Sequence, residues 1–331
     1  MKPEPPAPQS SSEPAVPAPA TSATPADGSL QPAPTPTAFA RECRIAAEIA
    51  RDAGRILLEG WGTRPRVEFK SEDINLVTEF DRRSEALVVS RLAEAFPHDT
   101  IVGEEGSEVG AGRRSRAPGQ RVWYVDPLDG TTNFAHGFPL FSVSIGLAVG
   151  GRAQVGVVEA PALRWSFCGA IASGGGGGDA SIGQPAAGTE GGASLATWNG
   201  QPIAPSVVGN LKQALVVTGF PYARHPGSSN LPEWAAMVDA AQGTRRLGSA
   251  ALDLCFVACG WLDVYWEREL HPWDLVAGAA IVEAAGGRAT EMDGSPFDGE
   301  TGRVLATNGR LHEPMIALLG EVARRSGGRW P

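Results

Sequence analysis

Phe39, Cys43, Ala46, Ile49, Ala50, Ala53 and Leu57 recur three and four residues apart, a spacing that puts them on one face and predicts an amphipathic helix ending near Gly60. A second helix is predicted from about Asp81 to Phe96, stopped by Pro97. The pattern then shortens to strands over Thr100 to Val102, Arg121 to Val125, Ser142 to Val149, Gln154 to Glu159 and Arg164 to Ile171, with Asn199-Gly200 as a turn signal. Beyond Ala214, strands and helices alternate. Strands are predicted at Leu215 to Thr218 and Leu262 to Trp266. Helices are predicted near Pro232 to Ala241, Ser249 to Ala258, Leu275 to Ala285 and Glu313 to Arg324. Residues 38–210 therefore read as an α+β half and 211–325 as an α/β half of one domain, and no internal repeat interrupts them.

Composition changes this picture at the ends and at one internal segment. Residues 1–37 are rich in Pro, Ala, Ser and Thr with almost no large apolar residue, too little burial to offset ordering entropy, so a disordered tail is expected there. Residues 326–331 are expected to form a short C-terminal tail. No apolar core of roughly 7 to 15 residues follows Lys2, and the tail lacks Arg, which argues against secretory and transit signals. The glycine-rich stretch from Ser173 to Gly192 reads as a flexible insertion in a surface hairpin. A phosphate-cradling loop would need a strand before it and a helix after it.

A net charge of −9 argues against nucleic acid, whose backbone is met by clustered Lys and Arg. No apolar run approaches the roughly 20 residues that span a bilayer. The four cysteines, Cys43, Cys168, Cys255 and Cys259, show no disulfide-framework spacing, which fits a reducing, cytoplasmic setting. Cys255 and Cys259 lie on one apolar helix and are expected in the core.

The chemistry concentrates where strands end. In Val125-Asp126-Pro127-Leu128-Asp129-Gly130-Thr131-Thr132-Asn133-Phe134, two carboxylates stand three residues apart. The strand is expected to end at Asp126, with Pro127 turning the chain and Asp129 or Thr131 near the N-cap of a following helix. Two hard carboxylates at such a bend suit Mg²⁺, and the exposed backbone N–H groups suit an anion. Upstream, Glu104 closes the strand Thr100 to Val102; downstream, Asp274 is expected at the first turn or N-cap of the helix from Leu275. Singly, these acids fit a solvated loop and a plain cap; together with Asp126 and Asp129 they form the pattern of a two-metal carboxylate site. His136 and His271 sit beside turns, and an oxygen-rich site suits Mg²⁺ better than imidazole. Arg245-Arg246 reads as a surface or interfacial pair.

On these residues the chain resembles the inositol monophosphatase family of Mg²⁺-dependent, lithium-sensitive phosphatases. The resemblance rests on Gly103-Glu104-Glu105, the Asp126 motif, and Trp273-Asp274 followed by Ile281-Val282-Glu283-Ala284-Ala285-Gly286-Gly287. Weaker matches are Leu76 to Asp81, Gly248-Ser249-Ala250-Ala251 and Tyr265-Trp266-Glu267. It spans about Phe39 to Leu319. Val276 departs from it, standing where a small residue is usual, and so does the length of the Ser173 to Gly192 stretch.

The resemblance implies a layered α-β-α-β-α sandwich and a set of roles. Glu104, Asp126 and the Leu128 carbonyl would hold one Mg²⁺; Asp126, Asp129 and Asp274 a second. Glu104 and Thr131 would orient the water that attacks phosphorus, with Asp81 hydrogen-bonded to the Thr131 hydroxyl. Gly130 and Thr131 would supply N–H groups to the phosphate, alongside Asp129 and Asp274. Gly248, Ser249, Ala250 and Glu267 would line the alcohol side, although Glu267 also reads as an exposed acid ending its strand. The implied reaction is hydrolysis of a small phosphorylated polyol or amino alcohol, first myo-inositol monophosphate, by a homodimer. Histidinol phosphate is the main alternative substrate, followed by fructose 1,6-bisphosphate and nucleotide 3′-phosphates. A protein-binding regulator with secondary activity is the alternative of another class.

Overall fold

The computed structural model describes residues 39–325 other than 64–66, 70–75, 111–116, 118, 173–193 and 222–229. The expected tails and the whole glycine-rich insertion lie outside the described residues. Helices run over α1 (Ala40–Gly60), α2 (Glu79–Ala95), α3 (Thr131–Ala135), α4 (Leu231–Ala240), α5 (Ala250–Ala258), α6 (Pro272–Ala284) and α7 (His312–Arg325). A hairpin pairs β1 (Val67–Phe69) with β2 (Leu76–Thr78).

The larger sheet has eight strands: β3 (Thr100–Gly103), β4 (Glu108–Val109), β5 (Arg121–Asp129), β6 (Ser142–Val149), β7 (Arg152–Ala160), β8 (Trp165–Ala170), β9 (Leu195–Trp198) and β10 (Gln201–Pro202), in the order β10-β9-β8-β7-β6-β5-β3-β4. Only β3 and β5 run parallel within it. The second sheet comprises β11 (Leu215–Thr218), β12 (Gly243–Arg245), β13 (Val264–Glu267), β14 (Arg288–Thr290) and β15 (Val304–Thr307), ordered β12-β11-β13-β15-β14.

α1 and α2 pack on one face of the large sheet; α5 and α6 fill the space between the two sheets; α4 and α7 close the far face of the second sheet. The result is the five-layer α-β-α-β-α sandwich. Its apolar material divides accordingly, into a core under α1 and α2, a central core around α5 and α6, a third beneath α7, and a smaller fourth where Trp273, Val276 and Ala280 of α6 meet Val102, Val122 and Tyr124. Cys255 is fully buried in the central core and Cys259 packs against it. Among the described residues no helix is long and apolar enough to cross a membrane.

The long elements follow the apolar spacing closely, while several short strands do not announce themselves. β12 and β14 hold three residues each and β10 two, too few to display an alternation. Asn199 and Gly200 do make the turn between β9 and β10, both with positive φ, 49° and 77°.

One packing device lies across three strands. Gly146, Gly156 and Gly169 are cross-strand neighbours on β6, β7 and β8. A Cβ at Gly146 or Gly156 would strike the backbone of Ala277, and one at Gly169 would fall 2.7 Å from Cα of Ile281. This lane lets α6 lie directly on the sheet, and Val276 is accommodated because its side chain sits over Gly146. The close seat fixes the N-terminus of α6, and with it Asp274, at the end of the sheet that carries Asp126.

Candidate active site

Asp126 lies within β5, not at its end. The β5–β6 ladder pairs Asp126 with Ser144 and resumes at Asp129 with Ser142, so that Pro127 and Leu128 on one strand stand opposite Val143 alone on the other. A bulge is where a sheet can hold a proline, which has no N–H to give to the ladder. Pro127 thus bends the strand without ending it, and the Leu128 N–H turns back to donate to Asp126 Oδ1 at 2.9 Å.

The helix after the bulge is capped differently from expectation. Its N-cap is Gly130, in the left-handed region at φ 88°, with no side-chain cap. A Cβ there would lie 2.9 Å from the Leu140 carbonyl oxygen, so only glycine fits both the dihedral and the space. Asp129 is instead drawn to the N-terminus of α5. It accepts from Ser249 Oγ at 2.5 Å, Ala251 N at 2.9 Å and Ala250 N at 3.3 Å, a placement favoured by the helix dipole. This brings the Gly248-Ser249-Ala250 segment against the metal motif. Asn133, a motif residue given no role by the sequence, secures the junction by donating to the carbonyls of Leu140 at 2.6 Å and Leu247 at 2.9 Å.

The remaining acids close around Asp126. Glu104 follows β3, its N–H bonded to the Val125 carbonyl at 3.1 Å, and its carboxyl hydrogen-bonds Asp126. Asp274 is the third residue of α6, where its Oδ2 accepts from the His271 N–H at 2.7 Å; the His271 ring stacks on Trp273. Burial, then the charges of Glu104, Asp129 and Asp274, push the Asp126 carboxyl well above the usual carboxylate range. Asp274 rises likewise, through burial and then Glu104 and Asp129. Burial takes Asp129 up to about 6, although its bonds to Ser249, Ala251 and Ala250 pull the other way.

Thr131 Oγ1 donates to the Leu128 carbonyl at 3.0 Å and lies 3.3 Å from Asp81 Oδ1. Asp81 is fully buried and also caps α2, accepting from Thr78 N at 2.8 Å and Thr78 Oγ1 at 2.6 Å. Two further α2 residues carried no signal in the sequence. Ser84 donates to the Pro127 carbonyl at 2.9 Å, and Glu85 accepts from the N–H groups of Glu105 and Ser107.

On the alcohol side, Glu267 is 5% exposed, so it is not the exposed strand-end acid. It accepts from the Tyr265 hydroxyl at 2.7 Å, and burial lifts its carboxyl to about 7. Asp253, one turn along α5 from Ser249, is a further buried acid; its Oδ1 has no hydrogen-bond partner, and burial beside Glu267 and Asp129 raises its carboxyl well above the usual range. Its place in an apolar helix hid it.

Among the described residues no group of three or more His, Cys, Asp or Glu side chains is disposed to hold a metal ion as the side chains stand. The donor set nonetheless fits a hard divalent cation. Asp126, Asp129 and Asp274 offer oxygen ligands, and their mutual repulsion in a buried place is relieved by positive charge.

The family model for the inositol monophosphatase family matches residues 41–324. The chain belongs to the inositol monophosphatase family. It is 38% identical over 290 residues to the inositol-1-monophosphatase of Synechocystis sp., covering 87% of this chain and 92% of that protein. The solved inositol monophosphatase of Anabaena (Nostoc) sp. superposes with a TM-score of 0.71 at 38% identity, covering 86% of this chain and 97% of that one. The Nus factor SuhB of Pseudomonas aeruginosa is 34% identical over 83% of this chain and 94% of its own length.

Proposed function

We propose that the protein is a Mg²⁺-dependent phosphomonoesterase whose first substrate is myo-inositol monophosphate. The observation that carries this reading is the clustering of Glu104, Asp129 and Asp274 around the buried Asp126, next to the backbone N–H groups that open α3. Names of relatives such as the Synechocystis enzyme support the substrate class.

Glu104, Asp126 and the Leu128 carbonyl would hold one Mg²⁺, and Asp126, Asp129 and Asp274 the other. Bound there, the metal would lower the pKa of the attacking water and stabilise the leaving oxygen, a large share of the roughly 20 kcal/mol that phosphate monoester hydrolysis requires. The Thr131 hydroxyl commits its proton to the Leu128 carbonyl or Asp81. Its lone pairs therefore face outward and accept a hydrogen bond from the water, fixing the water's direction, and Glu104 takes the second hydrogen bond. Gly130 and Thr131 N–H groups meet the phosphate oxygens. Glu267 accepts from the hydroxyls of the polyol, helped by Ser249 and Ala250, whose positions are set through Asp129.

The test is phosphate release at saturating Mg²⁺ from inositol 1-phosphate, histidinol phosphate, fructose 1,6-bisphosphate and adenosine 3′,5′-bisphosphate, each with and without lithium. The expected outcome is the highest kcat/KM for inositol 1-phosphate, suppressed by lithium. A preference for histidinol phosphate would retain the chemistry and change the substrate; no turnover of any would overturn the proposal. The Nus factor relative supports a second reading, a protein-binding regulator. A stable complex with transcription proteins that persists in Asp126→Asn would favour it.

A further inference from the structure

The buried polar stripe of α2 touches the candidate site at three separate points. Asp81, Ser84 and Glu85 stand at i, i+3 and i+4, one face of a helix, and are 0%, 0% and 2% exposed. Asp81 reaches Thr131, Ser84 reaches the Pro127 carbonyl in the bulge, and Glu85 reaches the turn after β3. The first two act on the Asp126 motif; Glu85 acts on the chain segment that carries Glu104.

Glu85 occupies both carboxylate oxygens with that turn. Oε2 accepts from Glu105 N at 2.7 Å and Oε1 from Ser107 N at 3.1 Å. Gly103 leaves room for it, since a Cβ there would collide with the Glu85 carboxylate. Gly103 N–H bonds the Ser107 carbonyl at 2.8 Å, and Gly106 turns the chain at φ 100°. Glu104 is thus held by its own N–H on the β5 side and by Glu85 on the α2 side. A carboxylate accepting two backbone N–H groups is a strong, charge-assisted anchor. Without it, two donors in this turn lose their partner and the turn is free to swing Glu104 away from Asp126.

We infer that Glu85 is a positioning residue for the metal site: it fixes the Gly103–Ser107 turn so that Glu104 meets Asp126, and so sets metal affinity without touching metal or substrate. This rests on the proposed role of Glu104 as a ligand. Groups that orient ligands from behind typically govern metal affinity or activity by about 10- to 100-fold.

The test is a double-mutant cycle read by calorimetric Mg²⁺ titration and by phosphate release against Mg²⁺ concentration, on the full chain. Glu85→Gln keeps the shape but turns an NH₂ toward one of the two donors. It should weaken Mg²⁺ binding about 10- to 100-fold, with kcat recovering at high Mg²⁺. Because Glu85 acts through Glu104, adding Glu85→Gln to Glu104→Gln should produce no further loss. Full additivity, or unchanged Mg²⁺ affinity in Glu85→Gln while Glu104→Gln weakens it, would overturn the inference. Unchanged affinity in Glu104→Gln would overturn the metal-site reading itself, and this inference with it. Should Glu85→Gln fail to fold, Gly103→Ala displaces the same carboxylate from the turn's side and is held to the same outcomes.

Discussion

Buried carboxylates stand in two contrasting settings in this molecule. Two buried acids in or beside the second sheet are matched by arginines: Glu233 with Arg268 at 3.5 Å, both nearly inaccessible, and Glu291 with Arg303 at 3.3 Å. At the candidate site, the hydrogen bonds to Asp126, Asp129 and Asp274 come from backbone N–H groups, Ser249 and another acid, Glu104, and the charges acting on Asp126 are those of other acids. Among the described residues no arginine pairs with these three acids; the charge of Arg246 acts on the neighbouring Glu267 and Asp253. Isolated buried carboxylates are unfavourable, so the site is built for positive charge that arrives from outside.

Changes at the two settings should therefore fail in opposite ways. The largest effect is expected for Asp126→Asn, which removes the acid at the centre of the cluster. It should lower kcat/KM about 10³-fold or more, a barrier increase on the order of 4 kcal/mol. Its metal-free melting temperature should stay level or rise, because a like charge is lost; phosphate release and thermal denaturation measure both, and a destabilised but active variant would erase the contrast. In the structural setting, Arg268→Met leaves Glu233 buried without its cation and should cost about 3 kcal/mol or more. Urea denaturation reads that loss, and unchanged stability would show that Arg268 is not needed there.

The long helices, the strands from β5 to β8 and all four acids were legible in the sequence, because each has a local signature: helical spacing, an apolar run, or an acid where a strand gives way to a turn. What was illegible depends on pieces of chain meeting. Gly146, Gly156 and Gly169 form a lane only once three strands are in register. Ser84 and Glu85 are ordinary helix residues until β3 and the bulge arrive above them. Asp129 read as a cap of the next helix because nothing in the sequence shows that the start of α5, about 120 residues on, competes for it. The bulge at Pro127 was hidden for a similar reason, since it is β6 that restores the ladder.

Acidity at the candidate site gives a smaller effect. Asp129 at about 6 and Glu267 at about 7 have pKa values raised above those of free carboxyls. Such groups favour the folded state while protonated. That stability is fully present below about pH 4 and is lost as the pH rises through the folded values. Metal-free protein should accordingly lose on the order of 2 kcal/mol per group between pH 4 and 7. Mg²⁺ compensates only ionised acids, so the rise in melting temperature that it confers should be slight near pH 5 and greatest at pH 7 to 8. A Mg²⁺ effect independent of pH would separate metal binding from this cluster. The smallest effect belongs to the solvent-exposed pair Arg44–Glu48 on α1, with side chains 65% and 43% exposed. Arg44→Ala should change stability by about 0.3 kcal/mol, near the limit of chemical denaturation.

The claim that the acids around Asp126 form a site for external cations is tested most directly by calorimetric titration of Mg²⁺ into the wild-type protein and Asp126→Asn at pH 7.5, with inorganic phosphate present. The account predicts saturable binding by the wild type and its loss in the variant. Equal binding by both proteins, or none by the wild type, would contradict it.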